Sequence, residues 1–188
     1  MKMEQKNNII SYLKLYQDLY SNEIYINKAS FKQNNYYIFG LGNEKSNFIF
    51  LDYFDLSSID DKKFSYKNSG TLLDKMLNAI DLKRENVYII TFFKYNNPLL
   101  LKEYPVNQNI NYKDKIKQIK PKLIISLGKE AFLQLQTNFK NIDDEKILKY
   151  NSFDLMITLN PLELLKNNNL KKRAWSHLKL IRDQYINV

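Results

Sequence analysis

The sequence predicts an α/β fold, a three-layer α/β/α sandwich around a mainly parallel sheet of four strands. Short apolar runs alternate along the chain with segments whose apolar residues recur at helical spacing, which is typical of strand–helix–strand units. Leu123–Leu127 is a largely apolar run between Pro121 and Gly128, as expected for a strand that is covered on both faces. The 188 residues show no internal repeat and suffice for one domain.

Residues 1–188 are predicted to form a single domain, and its first elements lie before Asp52. Residues 1–35 are expected to form an N-terminal helical extension that packs on the rest. Asn8–Tyr20 is its amphipathic helix, because apolar residues recur there at helical spacing. Tyr36–Phe39 is a candidate short strand, and Phe48–Leu51 is the first core strand.

The middle of the chain continues the alternation. Polar residues from Asp52 onward predict a loop, and Ser69 or Thr71 is expected to cap the helix that follows. The next strand, Val87–Phe93, is rich in β-branched and aromatic residues. The prolines and asparagines of Lys94–Asn111 then predict a long loop.

A helix over Tyr112–Ile119 precedes the central strand. It is predicted to end before Pro121, which favours an extended conformation at Lys120. After the central strand, a glycine turn leads into a helix over Lys129–Gln136. Thr137–Asn151 is predicted to be a connection, with an acidic patch at Asp143–Glu145.

Three elements complete the chain. Phe153–Leu159 is the last strand, and Pro161 fits the first turn of a short helix. Leu170–Tyr185 is a final amphipathic helix. It carries His177, which is expected to lie on the surface.

Composition limits the classes of function. The formal net charge of +9 favours a nucleic-acid partner modestly. The chain has no cysteine, which excludes disulfides and cysteine-ligated zinc or iron–sulfur clusters, and no metal-ligand pattern is found. Met1–Asn8 is polar and basic with no apolar segment after it, and every apolar run is too short to cross a bilayer. We expect a soluble, cytoplasmic monomer with no membrane contact.

Functional residues of an open α/β sheet collect at the carboxyl ends of its strands. Here that edge is predicted to comprise Asp52–Asp55, Thr91–Asn97, Ser126–Lys129 and Thr158–Leu165. No glycine-rich phosphate-binding pattern occurs in the chain, which argues against an unrelated nucleotide-binding domain.

Four stretches, in order, resemble the uracil-DNA glycosylase superfamily, closest to its family 4. They are SGTLLDKMLNAIDLKRENVYII at Ser69–Ile90, IKPKLIISLGKEAF at Ile119–Phe132, ITLNPLELLK at Ile157–Lys166 and KKRAWSHLKLI, with Trp175, at Lys171–Ile181. They are similar to the family's helix and strand after its glycine-rich loop, its central strand and turn, its last strand with a His-Pro motif, and its closing helix. The resemblance implies the family's α/β/α fold and a DNA partner.

The departures from the family pattern fall on its chemistry. Asp52 matches the acidic position of the family's first motif, but the sequence there reads DYFDL, without that motif's glycines and proline. Thr91 stands where the family reads uracil with an Asn, and Asn160 replaces the catalytic His of the His-Pro motif. Because the four cluster cysteines are absent, we expect no iron–sulfur cluster and no other cofactor.

Asp52 and Asn160 are the candidate catalytic residues. Cleavage of an N-glycosidic bond leaves a cation-like sugar and an anionic base, and preorganised electrostatics stabilise both. The resemblance assigns Asp52 to the sugar and the attacking water; the equal alternative is a turn residue that caps local backbone groups. It places Asn160 at the base, where an amide still donates a neutral hydrogen bond. Asn-Pro is also a common helix-entry pair.

The base pocket implied by the resemblance contains Tyr53, Phe64, Tyr66 and Thr91. Phe64 and Tyr66 are the nearest candidates for the family's stacking Phe. Thr91 offers a single hydroxyl, and an ordinary β-branched strand residue is the favoured alternative at this position.

The predicted DNA-binding residues are Lys94, Lys129, Leu164, Leu165, Lys166, Lys171, Lys172 and Arg173. Lys94 matches a basic family position. In the family, the segment after the His-Pro motif pushes an apolar wedge into the duplex, whereas the alternative for these leucines is packing on the core. The basic side chains could contact phosphates or form a merely solvated face.

The sequence therefore supports two hypotheses of function. The favoured one is a divergent uracil-DNA glycosylase-like protein that binds DNA, with weak or lost base excision and a role in DNA repair or replication. A protein partner is a further candidate for what it binds. The alternative is an active DNA base N-glycosylase, a hydrolase that excises uracil or another deaminated base through Asp52 and Asn160.

Overall fold

The structure, a computed structural model, describes residues 36–55, 66–95, 110–135 and 146–187. The extension predicted over residues 1–35 lies outside the described residues, as do Phe64 and most of the loop predicted over Lys94–Asn111. The statements made about them from the sequence remain predictions.

Within the described residues, six strands form one mixed sheet. In chain order they are β1 (Tyr36–Gly42), β2 (Phe48–Asp55), β3 (Tyr88–Lys94), β4 (Leu123–Leu127), β5 (Leu148–Tyr150) and β6 (Phe153–Thr158). Their order across the sheet is β1-β3-β2-β4-β6-β5. The four inner strands run parallel, and the two outer strands are antiparallel to their neighbours. The inner strands are those that the sequence predicts.

The prediction of a four-stranded sheet is incomplete because it omits both antiparallel edges. β1 continues past the predicted end at Phe39 to Gly42 and pairs with β3 throughout. β5 lies in a stretch predicted to be a connection, and its three residues are too few to show a strand pattern. A turn at Asn151, whose φ is 53°, joins β5 to β6, and asparagine tolerates this left-handed conformation.

Among the described residues, five α-helices accompany the sheet: α1 (Tyr66–Asn78), α2 (Tyr112–Ile119), α3 (Lys129–Leu135), α4 (Pro161–Lys166) and α5 (Lys171–Ile181). A short 3-10 turn at Arg84–Asn86 precedes β3, another at Asn168–Leu170 joins α4 to α5, and a π turn at Arg182–Ile186 follows α5. A search of this part of the chain finds no helix of the length and apolarity needed to cross a membrane.

The predicted cap of α1 is wrong. The described part of the helix already includes Tyr66, so Ser69 and Thr71 lie inside the helix. The hydroxyl of Thr71 donates to the carbonyl of Lys67 one turn earlier, at 3.0 Å. A hydroxyl inside a helix can satisfy itself in this way, so Ser and Thr alone do not identify a helix start.

The predicted conformation of Lys120 is also wrong. Lys120 is left-handed, with φ 54° and ψ 57°, and its N–H donates to the carbonyl of Ile116 at 3.0 Å. The following Pro121 disfavours the right-handed helical conformation at Lys120. The left-handed conformation avoids that clash and still closes the last turn of the helix. The end of α2 is therefore where the sequence predicts it, reached by a different backbone turn.

The core has one apolar layer on each face of the sheet. Phe48 and Phe50 of β2 belong to the layer that holds buried residues of α1, α4 and α5. Ile49 and Leu51, which alternate with them, belong to the layer that holds buried residues of α2 and α3. Helices therefore cover both faces, and the carboxyl ends of the parallel strands lie together at one edge of the sheet.

Candidate functional site

Asp52 is part of β2 rather than the start of a loop. The strand continues to Asp55 because Tyr53 and Phe54 both pack against apolar neighbours, one on each face. Asp52 is in register with Thr91 of the parallel strand β3. The two residues are 5% and 2% exposed, so a carboxyl group and a hydroxyl group are buried on neighbouring strands.

Asn160 is the N-cap of α4. Its Oδ1 accepts a hydrogen bond from the N–H of Leu162 at 2.7 Å. Its own backbone N–H lies 3.4 Å from the carboxylate of Glu163, which completes a capping box. Pro161 occupies the first turn, as the sequence predicts. The helix-entry interpretation of the Asn-Pro pair is therefore confirmed.

The amide nitrogen of Asn160 is fully engaged. It donates to Oδ1 of Asp52 at 3.0 Å and to the carbonyl of Leu127 at 3.2 Å, and the carbonyl of Tyr53 lies 3.4 Å away. An Asn side chain carries only two N–H donors. Both are used within the protein, so Asn160 holds β2, β4 and α4 together.

Gly128 allows this close approach. Its φ of 91° lies in the left-handed region that favours glycine, and its N–H donates to the carbonyl of Thr158 at 2.8 Å. A Cβ atom at this position would lie 3.1 Å from the Cβ of Asn160. The glycine turn after β4 therefore helps to fix where Asn160 stands.

The carboxyl group of Asp52 is electrostatically unusual. Burial raises its pKa from 3.8 to about 6. The N–H of Tyr53, which donates to Oδ1 at 2.9 Å, the amide of Asn160 and the charge of Arg84 each lower this pKa and offset part of the rise. At pH 7 the group remains mostly ionised, and a pKa near neutrality suits proton exchange with water.

The two hydrogen bonds to this carboxylate both end on Oδ1. Within the part of the chain that the structure describes, no hydrogen bond reaches Oδ2 of Asp52. Oδ2 is therefore the oxygen with capacity to accept from a water molecule. The turn-residue interpretation explains the bond to Tyr53 but not the burial or the bond from Asn160.

Aromatic side chains that the sequence analysis does not assign to the site adjoin it. Phe54 and Phe93 are buried beyond Asp52 and Thr91 on the same strands, with ring centroids 6.3 Å apart and planes at 69°. They pack with Tyr37, Phe39, Tyr95 and Leu162. The aromatic residues two apart in YYIFGLG were the available signal, because alternate residues of a strand share a face.

The structure does not gather all predicted base-pocket residues. Tyr53 packs in the layer that contains Leu51, on the face of β2 opposite to Asp52. Thr91 is in register with Asp52, as described above. Tyr66 is the first described residue of α1, and Phe64 lies outside the described residues, so their assignment to the pocket stays a prediction.

The predicted DNA-binding lysines and arginine are on the surface, as shown by the exposure of Lys129, Lys166, Lys171, Lys172 and Arg173. Lys94 forms an ion pair with Asp55 at 3.1 Å. Lys129 and Arg173 line one cavity of about 240 Å³ with Thr158, at the carboxyl ends of β4 and β6. Glu130 and Glu163 line the same cavity, so the excess of basic residues at this edge comes from Lys166, Lys171 and Lys172 outside it.

The assignment of Leu164 to the DNA-binding residues is wrong for this conformation. Leu164 is 2% exposed and packs in the core layer with Met76 and Ala174. The helical face that carries it points inward, which is the alternative that the sequence leaves open. Leu165 is half-buried and is the leucine of the pair that solvent can reach.

His177 is buried rather than on the surface. It is 3% exposed, and its Nδ1 lies 3.2 Å from Oγ1 of Thr158. The residue sits on the inward face of α5 with Ala174 and Leu178. His177 lies three residues after Ala174, on the apolar side of the helix, and this spacing was the signal for its burial.

The residues present do not fit the iron–sulfur cluster of family 4, because the chain contains no cysteine. A search of the described residues finds no group of three or more His, Cys, Asp or Glu side chains that could hold a metal ion. The polar groups that the site offers are the carboxyl group of Asp52, the amide of Asn160 and the hydroxyl of Thr91.

Comparison with known families gives one match. The sequence model of the uracil DNA glycosylase superfamily matches residues 39–179. That span contains Asp52, Thr91 and Asn160 together with four parallel strands. No curated protein matches the chain.

Proposed function

Because the chain belongs to the uracil DNA glycosylase superfamily, we propose that it binds DNA at the carboxyl edge of its sheet and that its base-excision activity is weak or lost. DNA binding and low activity are separate claims. The first depends on surface charge, and the second depends on the hydrogen bonds of one side chain.

The engagement of Asn160 is the observation that carries the second claim. Excision of a base requires a donor aimed at the departing anion, and loss of one such donor typically costs about a hundredfold or more in rate. The N–H groups of Asn160 are directed to Asp52 and to the carbonyl of Leu127. A base in the site would have to compete with these bonds.

Base reading is weak for a related reason. Thr91 is the residue at the family's reading position, and it offers one hydroxyl in place of the paired donor and acceptor of an amide. A site discriminates strongly only when its polar groups match those of the substrate. We therefore expect little preference for uracil over other pyrimidines.

The DNA-binding claim is supported by the basic carboxyl edge. Lys166, Lys171, Lys172 and Arg173 are exposed where α4 gives way to α5, and Lys129 is exposed at the start of α3. Contacts of this kind neutralise phosphates, position a protein on DNA and give steep salt dependence. Leu165, half-buried on α4, is the remaining candidate for an apolar wedge.

A second candidate function is an active DNA base N-glycosylase, and Asp52 is the observation that favours it. A buried carboxylate with a pKa of about 6 and an available Oδ2 can orient a water molecule and stabilise a cation-like sugar. In this alternative Asn160 acts by positioning Asp52.

One experiment separates the two candidates. The protein is incubated with single- and double-stranded oligonucleotides that carry uracil, hypoxanthine, xanthine or an abasic site, and both base release and retention are measured. We expect retention of every oligonucleotide, steeply weakened by salt, with little release. Efficient release of one base would establish the glycosylase, and failure to retain any DNA would contradict the proposal.

The basic edge has a matched control. Replacing Lys171, Lys172 and Arg173 by Ala should weaken duplex binding and reduce the slope of log affinity against log salt by about 3. Replacing three other exposed lysines, at positions 45, 83 and 122, removes the same charge from the opposite edge of the sheet, because these residues precede β2, β3 and β4. Equal effects of the two sets would mean that residues 171–173 form only a solvated face.

A further inference from the structure

A cavity of about 780 Å³ lies at the edge of the sheet opposite to Asp52. Its lining includes Lys120, which precedes β4 closely, and Phe153, which begins β6. The cavity is therefore at the amino ends of the parallel strands. The five residues of β4 alone span about 15 Å, so it is separate from the carboxyl edge.

Three exposed lysines, Lys113, Lys117 and Lys120, line this cavity. Lys113 and Lys117 lie four residues apart on the same side of α2, and Lys120 follows the last residue of the helix. Within the described part of the chain, no acidic side chain forms an ion pair with any of the three. Among the described residues, no ion pair therefore offsets the positive charge of these three lysines.

The other charged residues of α2 are partnered, which makes the contrast specific. The ammonium group of Lys115 lies 2.9 Å from the carboxylate of Glu44. The carboxylate of Asp114 accepts from the side chain of Asn111 at 2.6 Å. Neither acidic residue lines the cavity.

Aromatic side chains complete the lining. Tyr150 and Phe153 stand on either side of the β5–β6 turn, and both are half-buried, so each packs partly on the core and keeps part of its ring exposed. A positively charged groove with aromatic rings is the arrangement that proteins use for single-stranded nucleic acid, because phosphates meet the cations and bases stack on the rings.

We propose that this cavity is a second nucleic-acid site, which takes a single-stranded segment through phosphate contacts to Lys113, Lys117 and Lys120 and through stacking on Tyr150. The aromatic lining favours a nucleic acid over an acidic peptide, which would need the cations alone. The site does not use Asp52 or Asn160, so it functions whether or not the carboxyl edge excises bases.

The test measures binding of a fluorescent oligothymidylate to the full chain at several salt concentrations. The variant K113Q/K117Q/K120Q should bind at least about tenfold more weakly than the parent. The slope of log affinity against log salt should fall by about 2 for a single strand. The control K45Q/K75Q/K83Q removes the same charge from exposed lysines outside the cavity and should change both quantities less.

A second variant tests stacking. Tyr150→Leu keeps an apolar side chain on the core and removes the ring, so affinity should fall about tenfold with an unchanged salt slope. If neither the triple lysine variant nor Tyr150→Leu weakens binding, the proposal is wrong. Urea unfolding of each variant identifies any change that comes from destabilisation.

Failure of this site and failure of the proposed function are distinguishable. If only K171A/K172A/R173A weakens binding, the carboxyl edge binds DNA and the second site does not exist. If only the Lys113, Lys117 and Lys120 variant weakens binding, the second site stands and the carboxyl edge fails. If polyglutamate competes as well as an oligonucleotide of equal charge, the cavity takes acidic peptides and the nucleic-acid proposal is wrong.

Discussion

Replacing Asp52 by Asn isolates the cost of burying its charge. The side chain keeps its shape, and Oδ1 can still accept from the N–H of Tyr53 and from the amide of Asn160. The variant has no carboxylate to ionise. Any pH dependence of the stability difference between parent and variant therefore reports the titration of Asp52.

The expected magnitude follows from the pKa. The folded state raises the pKa of Asp52 from 3.8 to about 6, so it holds this proton more tightly than the unfolded state does. The stability that results is fully present below the unfolded pKa and is lost as the pH rises through the folded pKa. A shift of about two pKa units corresponds to about 3 kcal/mol at pH 7. Relative to the parent, Asp52→Asn should therefore gain about 3 kcal/mol between about pH 4 and pH 7.

Urea unfolding of parent and variant at a series of pH values measures this difference. In a domain of this size, about 3 kcal/mol also raises Tm by about 10 °C. Asp154→Asn is the matched control, because the neighbouring Lys149 holds the pKa of Asp154 below its usual range. That variant should lose stability at pH 7 and recover relative to the parent as the pH falls. A stability difference for Asp52→Asn that does not change with pH would refute the reasoning.

Three further predictions concern the residues around the site. Asn160→Ala should cost about 2–4 kcal/mol in urea unfolding, because α4 loses its cap and Asp52 a donor. It should also raise the pKa of Asp52 further, as followed by carboxyl NMR, and an unchanged pKa would contradict the assigned hydrogen bond. Leu164→Ala should lower the free energy of unfolding by about 2–5 kcal/mol and leave duplex affinity unchanged. Leu165→Ala should lower duplex affinity and leave the free energy of unfolding nearly unchanged. Equal stabilities of the two variants would contradict the burial of Leu164. Gly128→Ala should lower the free energy of unfolding by at least about 1 kcal/mol in thermal unfolding, because its φ is 91° and the new Cβ meets Asn160. An unchanged stability would contradict the role of Gly128 in fixing the position of Asn160.

The inner sheet could be predicted from the sequence because buried parallel strands are apolar at nearly every position. Leu123–Leu127 is the clearest example, and all five of its residues are buried. The edge strands lack that pattern, so only Tyr36–Phe39 of β1 was predicted, as a candidate, and β5 was missed. Leu148–Tyr150 is three residues long, and Leu41 near the end of β1 is 58% exposed.

The site was harder to predict than the fold. A search for apolar runs ends β2 at Leu51, because Asp52 is charged. Nothing local in the sequence shows that this carboxylate will be buried against a neighbouring strand. The bond from Asn160 joins residues 108 positions apart, so no spacing rule reveals it. Leu164 was misplaced because its orientation depends on how the short helix α4 rotates against the sheet. For His177, the spacing from Ala174 and Leu178 was a usable signal of burial that the prediction of a surface position overlooked.

The family resemblance supplied what spacing could not. It placed Asp52, Thr91 and Asn160 at one edge, and the structure puts Asp52 in register with Thr91 and in hydrogen-bond contact with Asn160. What each residue contributes to catalysis remains a proposal. The polar atoms of Asn160 are already engaged, and for this reason we propose that it positions the carboxylate of Asp52 rather than donating to the base.

The single-turnover rate of uracil release from a saturated complex tests the central claim most directly. The protein is held in excess over a single-stranded uracil oligonucleotide, retention is verified in the same sample, and released base is followed over time for the parent and for Asp52→Asn. We predict full retention by both proteins, with release by the parent absent or barely above that of the variant. Rapid release by the parent that Asp52→Asn abolishes would contradict the account and establish an active glycosylase.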